Sequence, residues 1–252
     1  MFSNKYIFGY AAIMVIFVAA VLAGIAMVLQ PTQEKNVKVE KIQDMLMSAN
    51  IQSTPATAEK LYAEHIVREI VIDENGQEVS IYKDGNFEKG NIRAFDIDLA
   101  SQLKIKRDAI QGKTNETPVY PIFEAEINGD TLYIIPLQGN GLWGPIWGNI
   151  TFQSDFSTVK GVSFGHKGET PGLGAEISLP VFEDQFPGKK IMSENDEFTS
   201  ISVIKGGVAN SSIDPAHGVD AISGGTITSV GVHNMLRNNL SNYIAYFKNH
   251  KK

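Results

Sequence analysis

The run Asp220-Ala221-Ile222-Ser223-Gly224-Gly225-Thr226-Ile227-Thr228-Ser229 sets four hydroxyl side chains around a pair of glycines. Just beyond it, Val232, Met235, Leu236, Leu240, Tyr243, Ile244 and Phe247 recur at the spacing of one helical face. The glycines therefore precede a helix start. A helix N-terminus leaves backbone N–H groups unpaired and carries roughly half a positive charge, so it favours an anion. Glycines at that point let a phosphate approach the backbone closely. A plain helix cap preceded by a glycine turn fits the same spacing, and spacing alone does not choose between the two.

Three other runs invite chemistry, and each fails on context. Gly139-Asn140-Gly141-Leu142-Trp143-Gly144 matches the G-x-G-x-x-G pattern of dinucleotide sites. Such a turn must open a helix, whereas Pro145 and Gly148 interrupt the next turn and another strand comes after it. Both tryptophans of the chain, Trp143 and Trp147, fall in this glycine-rich connection, where they suit either core packing or a partner or cofactor surface. His166-Lys167-Gly168-Glu169-Thr170-Pro171-Gly172-Leu173-Gly174 is too rich in Gly and Pro to bring His166 and Glu169 onto one helical face, so it is a poor metal motif. Ser223 lacks the G-x-S-x-G elbow of a serine hydrolase. With no cysteine, the chain offers no thiolate metal ligand, disulfide or thiol nucleophile.

The elements that must carry these runs begin with residues 6–29, which contain no charge and are nearly all apolar. Twenty-four residues at about 1.5 Å each span a bilayer core of about 30 Å, and signal peptides have shorter apolar cores. The expectation is a cytoplasmic tail at 1–5, a transmembrane helix at 6–29, a polar linker at 30–40 broken by Pro31, and a folded domain at 41–252. Lys5 precedes the span, while Lys35, Lys38 and Lys41 come after it, so local charge weakly favours the domain on the inner side. All 28 acidic residues lie beyond the span, and a net-acidic domain argues against a nucleic-acid partner.

Within the domain, Ile42, Met45, Leu46 and Ala49 make one helical stripe, and Thr54-Pro55 opens a short helix to about His65. Strands are expected at 66–72 and 79–82 around a turn, and at 119–127 and 131–137 around Asn128-Gly129. Alternation at Phe95, Ile97 and Leu99 suggests a strand. Further strands are expected at 149–152, 159–164 and 198–204, with loop and short helix over 175–190. Hairpins with helices at the beginning and end make an α+β fold with a largely antiparallel sheet.

Residues 118–122, the Gly-Leu-Trp-Gly-Pro-Ile-Trp-Gly run from Gly141, the His-Lys-Gly-Glu-Thr-Pro-Gly-Leu-Gly run from His166 and Ser223-Gly224-Gly225-Thr226 occur in this order. Together they resemble the C-subunit family of bacterial sodium-translocating NADH:quinone reductases over nearly the whole chain. The last run resembles the Asp-x-x-(Ser/Thr)-Gly-(Ala/Gly)-Thr signature of flavin-carrying domains, with Gly225 standing where the family usually has alanine. The resemblance implies FMN joined to Thr226 through a phosphoester, placed by a flavin transferase that uses FAD and magnesium outside the cytoplasm.

By the same resemblance, Thr170, Leu173, Lys205, Gly206, Ser223, Gly224 and Gly225 contact the flavin or its phosphate, and Trp143 joins them as a candidate on the cofactor-surface reading of its loop. The chain would hold one FMN and no NADH, quinone or metal site, and would carry electrons one at a time among the other subunits of a sodium-exporting membrane complex. The domain would then lie on the outer side of the bacterial inner membrane. Two readings compete: the G subunit of the Rnf ferredoxin:NAD oxidoreductase, which shares the threonine signature, and a flavin-free, membrane-tethered extracytoplasmic binding or assembly protein.

Overall fold

A computed structural model describes residues 3–251. The expected tail at 1–5 therefore lies partly outside the described residues. The chain divides into two units, Met1–Lys41 and Ile42–Lys252, and the division falls inside the first helix, α1 (Asn4–Ser48). This helix is the one among the described residues that is long and apolar enough to cross a membrane, with a mean hydropathy of 3.0 over its most apolar stretch.

The linker expected at 30–40 is helical, and Pro31 sits inside α1. Proline removes one N–H from the ladder, the one that would bond the carbonyl four residues back, and the polar, helix-favouring residues beyond it continue the helix.

The second unit is built on a seven-stranded sheet in the order β3-β2-β1-β4-β5-β6-β7, antiparallel throughout. Its strands are β1 (Ile66–Asp73), β2 (Glu78–Lys83), β3 (Asn86–Lys89), β4 (Val119–Ile127), β5 (Asp130–Asn140), β6 (Pro145–Phe152) and β7 (Val159–His166). The α+β expectation with a largely antiparallel sheet holds. Period-two alternation divides the side chains between two cores. Val71, Phe123, Ala125, Leu132 and Ile134 face one side, where Met45 of α1 and Ala49 in the turn just after it pack on them. Ile70, Ile72, Tyr120, Ile122, Ile135 and Leu137 face the other.

That second face is covered by α5 (Thr226–Leu240) and α6 (Ile244–His250), the expected C-terminal helix broken into two by a turn at 241–243. Val232, Met235, Leu236, Leu240, Tyr243 and Phe247 of the helical stripe are all buried. Asn239 fixes α5 to the end of β5, accepting from Gln138 N at 3.1 Å and donating to Gln138 O at 3.0 Å.

Four expectations need correction. Residues 94–96 form a single 3-10 turn and Leu99–Ile110 is a helix, α3, not a strand. Asp98 caps it by accepting from Ala100 N at 3.2 Å, and three alternating residues are too few to outweigh a cap followed by Leu99 and Leu103 at helical spacing. The helix expected from Thr54-Pro55 begins later, as α2 (Ala58–His65). The strand expected at 198–204 shortens to β8 (Ser202–Ile204), which pairs in parallel with β9 (Gly218–Asp220) in a separate two-stranded sheet. Finally, β6 starts at Pro145, so Trp147 belongs to a strand rather than to the glycine-rich loop.

Candidate functional site

The helix start expected after the two glycines is where the sequence places it: Gly225 is the N-cap and Thr226 the first residue of α5. The parallel pairing of β8 and β9 brings the chain there. Both strands end at the same edge, Ile204 beside Asp220, so the turns beyond them leave side by side. Ala221 N donates to Ile204 O at 3.0 Å. Asp220 Oδ1 accepts from Val208 N at 2.7 Å and closes the Lys205-Gly206-Gly207 turn against the Thr226 turn. Gly206, Gly207 and Gly224 all have positive φ, at 84°, 90° and 78°, which explains why glycine recurs here.

The four hydroxyls of the run fall into two groups. Thr228 and Ser229 are buried and engaged, Thr228 Oγ1 donating to Glu169 Oε2 at 2.5 Å and Ser229 Oγ accepting from Ile222 N at 3.1 Å. Ser223 and Thr226 are exposed, and among the described residues neither side chain has a hydrogen-bond partner. Only Thr226 of these two stands on the helix itself, where the first-turn N–H groups have no acceptor within the helix.

Thr226 opens onto a pocket of about 220 Å³ lined by Thr170, Leu173, Trp143 and Leu142, by Glu169 and Gly174, and by residues 224–228. Its rim is apolar and exposed: Leu142, Trp143, Leu173 and Ile227 are each more than two-fifths accessible, Trp143 the most at 67%. Leu173 leans over the glycine pair, and a Cβ on Gly224 would stand 2.5 Å from its Cδ2. Of the residues singled out in the sequence, the pocket gathers Thr226, Gly224, Gly225, Thr170, Leu173 and Trp143. Ser223, Lys205 and Gly206 do not line it; all three are exposed, on the two adjoining turns. A larger groove, about 700 Å³, lies between α3, the end of β5 and the flank of α5, and none of the candidate residues lines it.

One residue escaped the sequence reading. Glu169, dismissed with His166 as a metal ligand, is 5% exposed and ties three segments together. Its Oε1 accepts from Trp143 N at 2.8 Å, its Oε2 from the Thr228 hydroxyl, and its own N–H donates to His166 Nδ1 at 3.2 Å. Two glycines make room for it. A Cβ on Gly141 would stand 2.5 Å from Oε1, and one on Gly174 would collide with Oε2. The sequence holds only an indirect trace of it: Gly174 in its own run and Gly141 in the run before, neither of which shows by itself what it faces.

These features fit a phosphate-bearing flat ring. The α5 N-terminus offers unpaired donors to an anion, Gly224 leaves backbone uncovered beside Thr226, and Leu173 and Trp143 present apolar surface.

Comparison with known proteins agrees with this geometry. A family model described as the FMN-binding domain matches residues 141–241, a span that holds the Trp143 turn, Glu169 and Thr226. Two solved structures share the fold. The crystal structure of the C subunit of the Na(+)-translocating NADH-quinone reductase from Parabacteroides distasonis has a TM-score of 0.73 at 39% identity, covering 87% of this chain and 96% of its own. NqrC from Shewanella oneidensis gives 0.66 at 25% identity, covering 86% and 99%. The C subunit of the Na(+)-translocating NADH-quinone reductase from Haemophilus ducreyi is 32% identical over 90% of this chain and 88% of its own length. The Pasteurella multocida C subunit is also 32% identical, over 94% and 91%. On this shared length and identity, the chain belongs to the family of the C subunit of the Na(+)-translocating NADH-quinone reductase.

Proposed function

We propose that this chain is the electron-carrying flavoprotein subunit of a sodium-exporting NADH:quinone reductase, with FMN joined to Thr226 through a phosphoester. The observation that carries the reading is the state of Thr226. Among the hydroxyls of the run it alone is exposed, unpartnered and set at a helix N-terminus on the rim of a pocket. When bound, FMN would supply reversible electron transfer.

This chain's own residues would do the holding. The first turn of α5 faces the phosphate, Lys205 on the adjoining turn balances its charge, and Leu173 and Trp143 bear on the ring. A pocket of about 220 Å³ is smaller than the roughly 300 Å³ or more of sites that enclose their ligand. A flavin here would stay largely open to redox partners, so noncovalent affinity would be limited and a covalent bond would keep it in place.

The apolar segment 6–29 would anchor the chain in the inner membrane, with the domain outside, where the flavin transferase works on FAD and magnesium. A reporter that fluoresces only in the cytoplasm, fused to the C-terminus, should stay dark. The relatives compared above all carry the quinone-reductase name, which supports that complex, with its other subunits as partners, over the ferredoxin-linked one.

The test is co-production with a flavin transferase, read as flavin fluorescence of the denatured band and by peptide mass. Thr226→Ala should abolish covalent flavin. It should change stability by less than about 0.5 kcal/mol, because an exposed side chain with no hydrogen bond is lost. Ser223→Ala should keep the flavin. Flavin persisting on the alanine variant, or mapping to Ser223, overturns the assignment.

A further inference from the structure

We infer that Glu169 is a positioning residue for the flavin-accepting turn, and that its fixed negative charge in the pocket wall lowers the reduction potential of the flavin held there. The inference rests on the FMN reading above and extends it to a side chain outside the threonine signature.

The geometry separates Glu169 from an ordinary buried acid. Both of its oxygens are used as acceptors, one by a backbone N–H of the Trp143 turn and one by a hydroxyl on the third residue of α5. Thr228 is two residues from Thr226, so this hydrogen bond fixes the first turn of α5 relative to the opposite wall of the pocket. No Lys, Arg or His forms an ion pair with Glu169 among the described residues. Its charge is offset by hydrogen bonds and by the positive end of α5, not cancelled by a neighbouring cation. Gly141 and Gly174 have no side chain where one would displace it, so the carboxylate fills space that two other segments leave open.

Two consequences follow, and they are separable. Mechanically, the carboxylate holds the Trp143 turn and the Thr226 turn at one spacing, the spacing a transferase must meet to set the FMN phosphorus of FAD against Thr226 Oγ1, where the new P–O bond forms with loss of the hydroxyl proton as the pyrophosphate bond breaks and AMP leaves. Electrostatically, an unneutralised negative charge lining the pocket opposes the addition of electrons to a group bound in it, and the burial of the carboxylate itself limits how far water screens it.

Glutamine distinguishes the two roles. Its carbonyl oxygen can still accept from Trp143 N, and its NH2 can donate to Thr228 Oγ1, which can accept as well as donate. Glu169→Gln therefore keeps the bridge and removes the charge. Thr228→Val keeps the charge and removes one end of the bridge. Glu169→Ala removes both.

The experiment uses the full chain co-produced with flavin transferase, with the time course of covalent flavin and the reduction potential of the loaded protein as readouts. Thermal melting is run alongside. Glu169→Gln should load flavin within about twofold of the wild-type rate and show a more positive potential. Thr228→Val should load at least tenfold more slowly, with the potential unchanged in the fraction that loads. Glu169→Ala should show both defects. An unshifted potential in Glu169→Gln overturns the electrostatic role. Wild-type loading by a folded Thr228→Val or Glu169→Ala overturns the positioning role. If the wild type itself takes no flavin, the FMN reading fails and this inference falls with it.

Discussion

In the sheet, every pair of consecutive strands except β3 and β4 is adjacent in space. β1 and β2, β4 and β5, and β6 and β7 are each joined by a short turn, and alternating apolar residues fill the two faces. At the start of α5 the reverse holds. Residues near 141, 169 and 224 meet across long stretches of chain, held by glycine close approaches and by the carboxylate of Glu169, and the turn at 205 is tied to them through Asp220. The first region is built by burial and tolerates changes in its turns. The second is built by backbone proximity and tolerates little added volume. Each region should therefore fail in its own way when altered.

The largest effect is expected in the sheet. Phe152 is fully buried on β6 and makes an edge contact with Phe247 at 5.6 Å between ring centroids. Phe152→Ala should cost about 3–5 kcal/mol. Chemical denaturation should show a lower midpoint with an unchanged slope. Flavin loading of the remaining folded protein should match the wild type, since Phe152 is outside the pocket lining. Slowed loading in the folded fraction would mean that the two regions are not independent.

Next comes the sheet's free edge at β7. Phe164 N donates to Glu183 Oε1 at 2.7 Å on the short helix α4 (Pro180–Glu183). Burial pushes the Glu183 carboxyl up from 4.5 to about 7, only partly countered by the Phe164 hydrogen bond, with Asp44 and Asp184 adding to the rise. A folded value above the unfolded one means that folding favours the protonated acid. The Glu183 contribution to stability should be fully present below about 4.5, fall as pH climbs to about 7, and level off above it, a loss on the order of 3 kcal/mol. Glu183→Gln should remove that slope from thermal melts taken between pH 5 and 8. A slope unchanged in the variant would assign it to another group.

The two tryptophans put one residue in each region. Trp147 is half-buried on β6, its indole covering Gly165 of β7 so closely that a Cβ there would collide with Nε1. Trp143 is 67% exposed on the pocket rim. Trp147→Ala should cost about 2 kcal/mol, below the range for fully buried aromatics, and Trp143→Ala less than about 0.5 kcal/mol. Only the Trp143 variant should alter the fluorescence of bound flavin. Equal stability losses would place both side chains in the core.

The same division explains what could be read from sequence. Local devices were legible: the Asn128-Gly129 hairpin, the stripe from Val232 to Phe247, and the helix start at Thr226 all depend on residues within a turn or two of each other. So was the resemblance carried by the runs around Trp143, Thr170 and Thr226. Non-local devices were not. β9 is three residues long and is defined only by its parallel partner β8, and β3 is a wholly exposed edge strand without an apolar pattern. Trp147 looks like part of a loop because the glycines before β6 and Gly148 within it suggest irregular chain, yet Gly148 is there because Phe164 and the Ser163 carbonyl of β7 approach too closely for a side chain. Glu169 showed no signal of its own, since its partners are a backbone N–H and a threonine 59 residues away.

The smallest effects test the loop cluster at its finest grain, the adjacent glycines at 224 and 225. Gly224 has φ of 78°, and an added Cβ would meet Leu173 Cδ2 at 2.5 Å. Alanine there must take up a left-handed backbone, at about 1–2 kcal/mol, and push aside a side chain on the pocket rim. Gly225 differs in both respects. Its φ of −97° suits any residue, and a Cβ would sit 3.1 Å from Ile222 Cγ2 and 3.2 Å from the Leu173 carbonyl. Those contacts are tight but need a shift of only a few tenths of an ångström, in a loop whose Leu173 is exposed. Against that strain, alanine stiffens the unfolded chain and gains about 0.4–1 kcal/mol. Gly225→Ala, which restores the residue usual in the resembling family, should therefore change stability by less than about 1 kcal/mol and load flavin normally. Gly224→Ala should lose both stability and flavin. Thermal melting and gel fluorescence of the two variants, made in parallel, decide the matter. If Gly225→Ala proves as damaging as Gly224→Ala, the Leu173 backbone is a rigid wall, and this chain has glycine at 225 because no side chain fits.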